Sequence, residues 1–297
     1  MKFKQTLLIA LATIILTSCG TTSVVPITGR KQRLSYSDEQ MLGLALNEYK
    51  QYTVASKLSA NAANTAMVKR VGQRLANAVN TYLTQNGFAD RVSSFQWEFN
   101  LLAENQQNAF CMPGGKIVVY EGLLPVTQDE SSLAIVLGHE IAHAVARHSA
   151  EQLSKQERAQ TGTQLLGGVL SGVGLGDAGS LIMTGVNLGS QLTQLHGSRS
   201  NESEADYMGL IFAAMAGYDP NTALTFWQRM AAQSSGGGAS FLSTHPSDEK
   251  RIADIKKHLP EALRYYQQGG TGTATTTTTT TTTPSTPTQT QGTLRIK

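Results

Sequence analysis

Residues 131–146 read SSLAIVLGHEIAHAVA, and the meaning of this stretch governs how the rest of the chain is understood. It contains H-E-x-x-H as His139, Glu140 and His143. Residues four apart share one face of an α-helix, so the two imidazoles can point at a single ion. Glu140 is turned by about 100° from His139, so it can stand beside that ion and hold a water without being a ligand. Almost every other residue from Leu133 to Ala146 is apolar or small, which predicts a helix buried all round. Two histidines and a glutamate in such a helix carry a desolvation cost unless they have partners. One zinc ion per chain supplies that partner. A surface helix holding the same pattern by accident would show polar residues around the histidines, and they are missing here.

The chain has 297 residues, enough for one large domain or two small ones. Hydrophobic residues make up 40% of it, a value lowered by a polar C-terminal tail. The net charge is only +3 and the basic residues are scattered, so nucleic acid is not an expected partner. The histidines are His139, His143, His148, His196, His245 and His258, which limits the choice of metal ligands.

The N-terminus reads as an export signal. Lys2 and Lys4 precede an apolar core from Leu7 to Leu16 that is too short to span a bilayer comfortably. The segment ends in Leu16-Thr17-Ser18-Cys19-Gly20, which resembles the bacterial lipobox. That resemblance implies cleavage before Cys19 and lipidation of its thiol. Several acyl chains on one residue suffice for firm membrane anchoring. Gly20 rather than Asp after the cysteine resembles lipoproteins sent to the outer membrane. With Cys19 acylated, Cys111 has no partner within the chain and is a free or intermolecular thiol. The expected organisation is a signal peptide over 1–18, a lipidated tether over 19–36, a folded domain over 37–268 and a disordered Thr/Pro-rich tail over 269–297.

Within the folded region the pattern is mostly helical. Ser37 is a plausible N-cap, with Asp38 and Glu39 favouring a helix start. Val68, Val71, Leu75, Val79 and Leu83 form one face of a helix over 64–83. Phe95, Trp97, Phe99 and Leu101 alternate with polar residues, as in a half-buried strand. Residues 108–120 read as strand, turn and strand about Pro113-Gly114-Gly115. Its first strand, with Asn108, Ala109 and Phe110, lies just ahead of the HEXXH helix. It is either an edge that pairs with an extended substrate or a plain structural hairpin. Thr127 and Glu130 are placed as a capping box for the HEXXH helix. Residues 161–195, rich in Gly, Leu, Val and Ser, fit a glycine-rich packing insertion better than a lid or a membrane-facing surface. Further helices are expected over 200–216, with Asn201 as cap and Glu204 in the box position, and over 221–233. A last helix is expected to end near Leu259-Pro260.

A catalytic zinc has three protein ligands and one open position. The candidates for the third ligand are His148, His196, Glu202, Glu204 and His245. Glu202 opens a helix with Asp206 one turn on. A carboxylate there can bind zinc while the next accepts the ring N–H of a ligating histidine. An acidic residue at a helix start is equally explained by the helix dipole.

H-E-x-x-H in an apolar helix followed by E-x-x-A-D resembles the zinc metallopeptidase family of the CAAX prenyl protease and HtpX. Asn108-Ala109-Phe110 with Pro113-Gly114-Gly115, Arg199 before Glu202, and His245-Pro246 with Arg251 resemble further motifs of that family. The likeness extends over about residues 37–259 and, with the lipobox, is nearest to the periplasmic lipoprotein branch that includes LoiP and BepA. The Thr-rich tail stands where BepA has helical repeats. The resemblance implies a mainly α, α+β zincin-like domain with a small β-sheet beside the HEXXH helix. It implies His139, His143 and Glu202 as zinc ligands, Glu140 as general base, and Asp206 and Arg199 as supports. It implies His245 as a transition-state donor or as a reversible fourth ligand that blocks the water, with Arg251 holding the His245 loop. The implied function is a metalloendopeptidase of the bacterial cell envelope, a lipoprotein of the outer membrane facing the periplasm. It would act on unfolded or misassembled proteins, or alternatively serve as a chaperone-like assembly factor with the zinc site held closed by His245.

Overall fold

The computed structural model describes residues 20–171, 198–233 and 249–271, together with Phe241 and His245. The lipidation expected at Cys19, the segment 172–197 and the residues after 271 lie outside the described part. An antiparallel hairpin comes first, β1 (Thr21–Val24) with β2 (Lys31–Leu34). The helices α1 (Asp38–Ala55), α2 (Ala62–Gln85) and α3 (Ala89–Val92) follow. A three-stranded sheet holds β3 (Glu98–Leu102), β4 (Ala109–Met112) and β5 (Lys116–Tyr120) in the order β3-β5-β4. After a 3-10 turn over Glu121–Leu123 come α4 (Leu124–Thr127), α5 (Glu130–Ala146), α6 (His148–Ser171), α7 (Arg199–Met215), α8 (Thr222–Gln233) and α9 (Glu249–Thr271). The protein is mainly helical with small sheets, as the zincin-like reading required. No helix among the described residues is long and apolar enough to cross a membrane.

The HEXXH helix is α5, and it is the centre of the core. Fourteen of its 17 residues are buried. Burial of Leu133, Ile135, Val136, Leu137 and Ile141 contributes roughly 1.5–3 kcal/mol each. Its most intimate partner is α7. A Cβ on Gly209 of α7 would stand 2.6 Å from the backbone nitrogen of His139, and one on Gly138 would stand 2.7 Å from the carbonyl oxygen of Gly209. Two glycines therefore let the helix backbones touch at the level of the site, which brings the first turns of α7 up to His139.

Several local expectations are corrected. Asp129, not Thr127, caps α5: its carboxylate accepts from the Ser132 N–H at 2.7 Å, while Thr127 closes α4. Asn201 does not cap α7, which begins at Arg199 after Ser198; Asn201 is buried within the helix. Phe95 and Trp97 precede β3 and stack on each other with centroids 4.5 Å apart. α9 does not stop at Leu259 but runs through Pro260 to Thr271. Proline removes one helical hydrogen bond at a cost of about 3 kcal/mol. Buried Ile255 before it and Ala262 after it keep one face of α9 packed, and tertiary packing overrides the local signal. Residues 24–33, expected as tether, include the turn and flanking strand residues of the β1–β2 hairpin, which the chain pins down with side-chain hydrogen bonds.

Candidate metal centre

α5 presents both histidines inward. His139 Nε2 and His143 Nε2 lie 3.1 Å apart. Glu202, in the first turn of α7, brings Oε2 to 3.4 Å from His139 Nε2 and Oε1 to 3.4 Å from His143 Nε2. His245 Nδ1 completes the group, 3.1 Å from His139 Nε2 and 3.0 Å from Glu202 Oε2. The four donor atoms lie within 4.8 Å of one another and every side chain is buried.

Each donor is held from behind. Asp206, one turn after Glu202, receives the Nδ1–H of His139 at 2.9 Å. Arg251 on α9 donates to Asp206 at 2.6 Å, to Glu202 at 2.9 Å and to the His245 carbonyl at 3.2 Å. Its guanidinium lies over the Trp227 ring, 4.0 Å from the centroid. Phe241 stacks on His245 at 4.3 Å, and its own backbone N–H donates to the Gln107 carbonyl at 2.7 Å. His143 is supported differently. Its Nδ1 meets Nδ1 of His148 at 2.8 Å, and His148 Nε2 meets Glu204 at 3.0 Å.

The arrangement fits a zinc ion. Asp206 takes the Nδ1 proton of His139, so loss of the other ring proton leaves Nε2 as a lone pair for an ion. That lone pair faces a second imidazole nitrogen at 3.1 Å and a carboxylate oxygen at 3.4 Å. Glu202 Oε1 is buried and receives no hydrogen bond. Such a cluster of donors repels itself unless a positive charge sits among them. Zinc bonds of about 2.0–2.1 Å in tetrahedral array put donors about 3.3 Å apart, and the observed separations match that spacing. Two nitrogens and a carboxylate oxygen, with a third nitrogen within reach as fourth donor, are a borderline-soft set suited to zinc.

The proton affinities carry the same imprint. Burial alone would lower His139, but Asp206 and Glu202 outweigh it and raise the ring to about 9. Burial drives His143 well below the ordinary imidazole range, with the neighbouring His139 charge adding to it. The two rings therefore carry one positive charge between them, on His139, where the cation belongs. Burial would raise Glu202, yet the contacts from His139 and His245 hold it below the usual carboxylate range.

Glu140 stands beside this group, fully buried. Its Oε2 accepts from the Cys111 N–H at 3.3 Å and its Oε1 lies 3.3 Å from His245 Nε2. Burial, with Glu202 adding, pushes its carboxyl up to about 8 against the pull of His139. The strand holding Ala109 and Phe110 runs alongside as β4, one of the two outer strands of its sheet. Alternation places the N–H groups of Ala109 and Cys111 on the side away from β5. The first donates to Asn108 Oδ1 at 2.9 Å and the second to Glu140. Phe110 packs away from the site against Tyr52 and Tyr120.

His139, Glu140, His143, Glu202, Asp206, His245 and Arg251 are thus brought together. Arg199 is not; it is exposed at the start of α7 and is no support of the cluster. His148 and Glu204 enter as supports rather than as ligands, and Arg30 had no sequence signal at all. His196 lies outside the described residues.

The pattern of Peptidase family M48 matches residues 62–259. The chain is 43% identical over 173 residues to "Mitochondrial metalloendopeptidase OMA1" of Schizosaccharomyces pombe, covering 58% of this chain and 49% of that protein. It is 36% identical over 185 residues to the Saccharomyces cerevisiae protein of the same name, covering 60% and 51%. It is 30% identical over 196 residues to "Beta-barrel assembly-enhancing protease" of Escherichia coli K12, covering 65% and 38%. The matched region spans about half or less of each of these relatives.

Proposed function

This chain belongs to peptidase family M48, whose members use zinc, and on that premise we propose that it is a zinc-dependent endopeptidase of the bacterial cell envelope that hydrolyses unfolded or misassembled proteins. The observation that carries the reading is the convergence of His139, His143 and Glu202 on one point, with buried Glu140 beside them. Those three residues would hold the zinc ion. When bound, zinc polarises the scissile carbonyl and makes a water acidic near neutral pH.

The side chains do the rest. Glu140 takes the proton of the attacking water and passes it to the leaving amine. Burial raises the Glu140 carboxyl toward the neutral range, where one group can both accept and return a proton. Asp206 and Arg251 keep His139 and Glu202 oriented. The β4 edge receives an extended substrate by backbone pairing, and that strand displaces the internal bonds to Asn108 and Glu140.

Glu140→Gln should bind zinc like the parent and lose about 10²- to 10⁴-fold in casein cleavage. Wild-type cleavage by that variant would remove Glu140 as base. The envelope reading draws on the lipobox-like Leu16–Cys19 and on the relative named for β-barrel assembly. Cys19→Ser should abolish acyl labelling and release the protein from membranes; membrane retention without the label would sink the anchor.

One observation favours a second reading. A catalytic zinc keeps a position open, and here His245 supplies a fourth buried donor. In this reading the chain is an assembly factor whose site His245 holds closed. His245→Ala then raises casein cleavage. If His245 is instead a transition-state donor, the same variant lowers it.

A further inference from the structure

Resting on the zinc-site reading above, we infer that Arg30, Glu204 and His148 form a positioning relay that fixes His143 in the tautomer able to hold the metal. The relay begins in the β1–β2 hairpin, outside the residues that match the family. Arg30 Nε donates to Glu204 Oε2 at 2.8 Å, and Thr28 Oγ1 donates to Oε1 at 2.6 Å. The carboxylate is thereby aimed at His148, whose Nε2 lies 3.0 Å from the same Oε2. His148 Nδ1 lies 2.8 Å from His143 Nδ1, and His143 Nε2 faces the metal donors.

The protons can be placed along this line one at a time. A carboxylate only accepts, so His148 Nε2 carries the hydrogen. Arg30 already compensates the charge of Glu204, so the buried His148 stays neutral and its Nδ1 is a bare acceptor. The short contact then requires the hydrogen on His143 Nδ1, and His143 Nε2 is left with a lone pair for the ion. With the opposite order, His148 would donate and His143 would point an N–H at the cluster. That tautomer binds no metal. Metal-ligating imidazoles ordinarily give their second N–H to a carboxylate, carbonyl or water. Here the acceptor is another imidazole, and the carboxylate stands one ring further out.

The hairpin also makes a second, separate attachment. Arg30 Nη1 and Nη2 reach the two oxygens of Glu151, each at 3.0 Å. Glu151 can therefore be removed to loosen hairpin docking without cutting the relay.

The test is zinc competition against a chromophoric chelator, combined with ring-¹⁵N spectra of histidine-labelled, zinc-free protein. In Glu204→Gln the amide can offer N–H to His148 Nε2, which invites the opposite order. Zinc affinity should fall about 10- to 100-fold, and the His143 hydrogen should move to Nε2. Arg30→Met should weaken zinc by a smaller factor, and the double variant should be no worse than Glu204→Gln alone. Glu151→Gln should keep wild-type affinity. Arg30 is 34% exposed, so Arg30→Met carries the test if Glu204→Gln does not fold. Wild-type zinc affinity in both Arg30→Met and Glu204→Gln would overturn the relay. So would a Glu151→Gln loss as large as that of Arg30→Met. A wild-type protein that takes up no zinc overturns this inference and the function together, whereas a proteolytic Glu140→Gln overturns the base assignment alone.

Discussion

The two metal-site histidines are one helical turn apart on α5 but are supported in different ways. His139 gives its proton straight to Asp206, which is locked to the buried Arg251. His143 leans on His148, and the first charge behind that second ring is Glu204, gripped by a half-exposed arginine 174 residues earlier in the chain. The first support is short, dry and built from α7 and α9. The second is long and reaches the rim of the protein. Equivalent ligands need the same tautomer, but the fold can fix it with one bond or with three.

The sharpest way to break this contrast is Asp206→Ala. It takes from Arg251 the carboxylate that its Nε grips, and losing one partner of a buried pair costs about 3–5 kcal/mol. Urea unfolding of the zinc-free protein measures it. Glu204→Ala should cost less, about 1.5–3 kcal/mol, since the stranded Arg30 can turn to Glu151 and solvent. Equal losses would mean that both histidines are held alike. Gly209→Ala tests the element they share, because both carboxylates ride on α7. Its new methyl would meet the His139 backbone, so we expect a loss of about 1–3 kcal/mol and weaker zinc binding at both histidines. At the low end, Arg70→Gln removes an exposed pair with Glu130 on the rim of α5 and should leave the urea midpoint and zinc affinity unchanged.

The part of the site that follows a helical repeat was legible in the sequence. His139 and His143 are separated by one turn, and so are Glu202 and Asp206, and each pair emerges on one face as its spacing implied. The joining of the two helices was not legible, because it depends on Gly138 and Gly209 touching, and a glycine in a helix gives no sign of what it is near. His148 stood only as one candidate for the third ligand, and its role behind His143 was not legible for a related reason. Arg147 adopts a left-handed conformation with φ 61°, which ends α5 and turns the chain before α6 begins. Past such a break the 3.6-residue period no longer says where a side chain points. Arg30 was invisible because its partners are fixed only by tertiary structure. The extension of α9 beyond Pro260 shows the same limit: a local breaker is outvoted by a buried face that the sequence does not announce.

The burial of Cys111 gives the protein a native reporter. It is the free thiol among the described residues, it sits on β4 next to Glu140, and burial holds its pKa well above the usual value. Alkylating reagents attack the thiolate, so modification of the closed molecule is slow and waits on an opening of the sheet edge. The rate of mass gain under iodoacetamide therefore clocks how often that edge separates from the HEXXH helix, without any label being introduced.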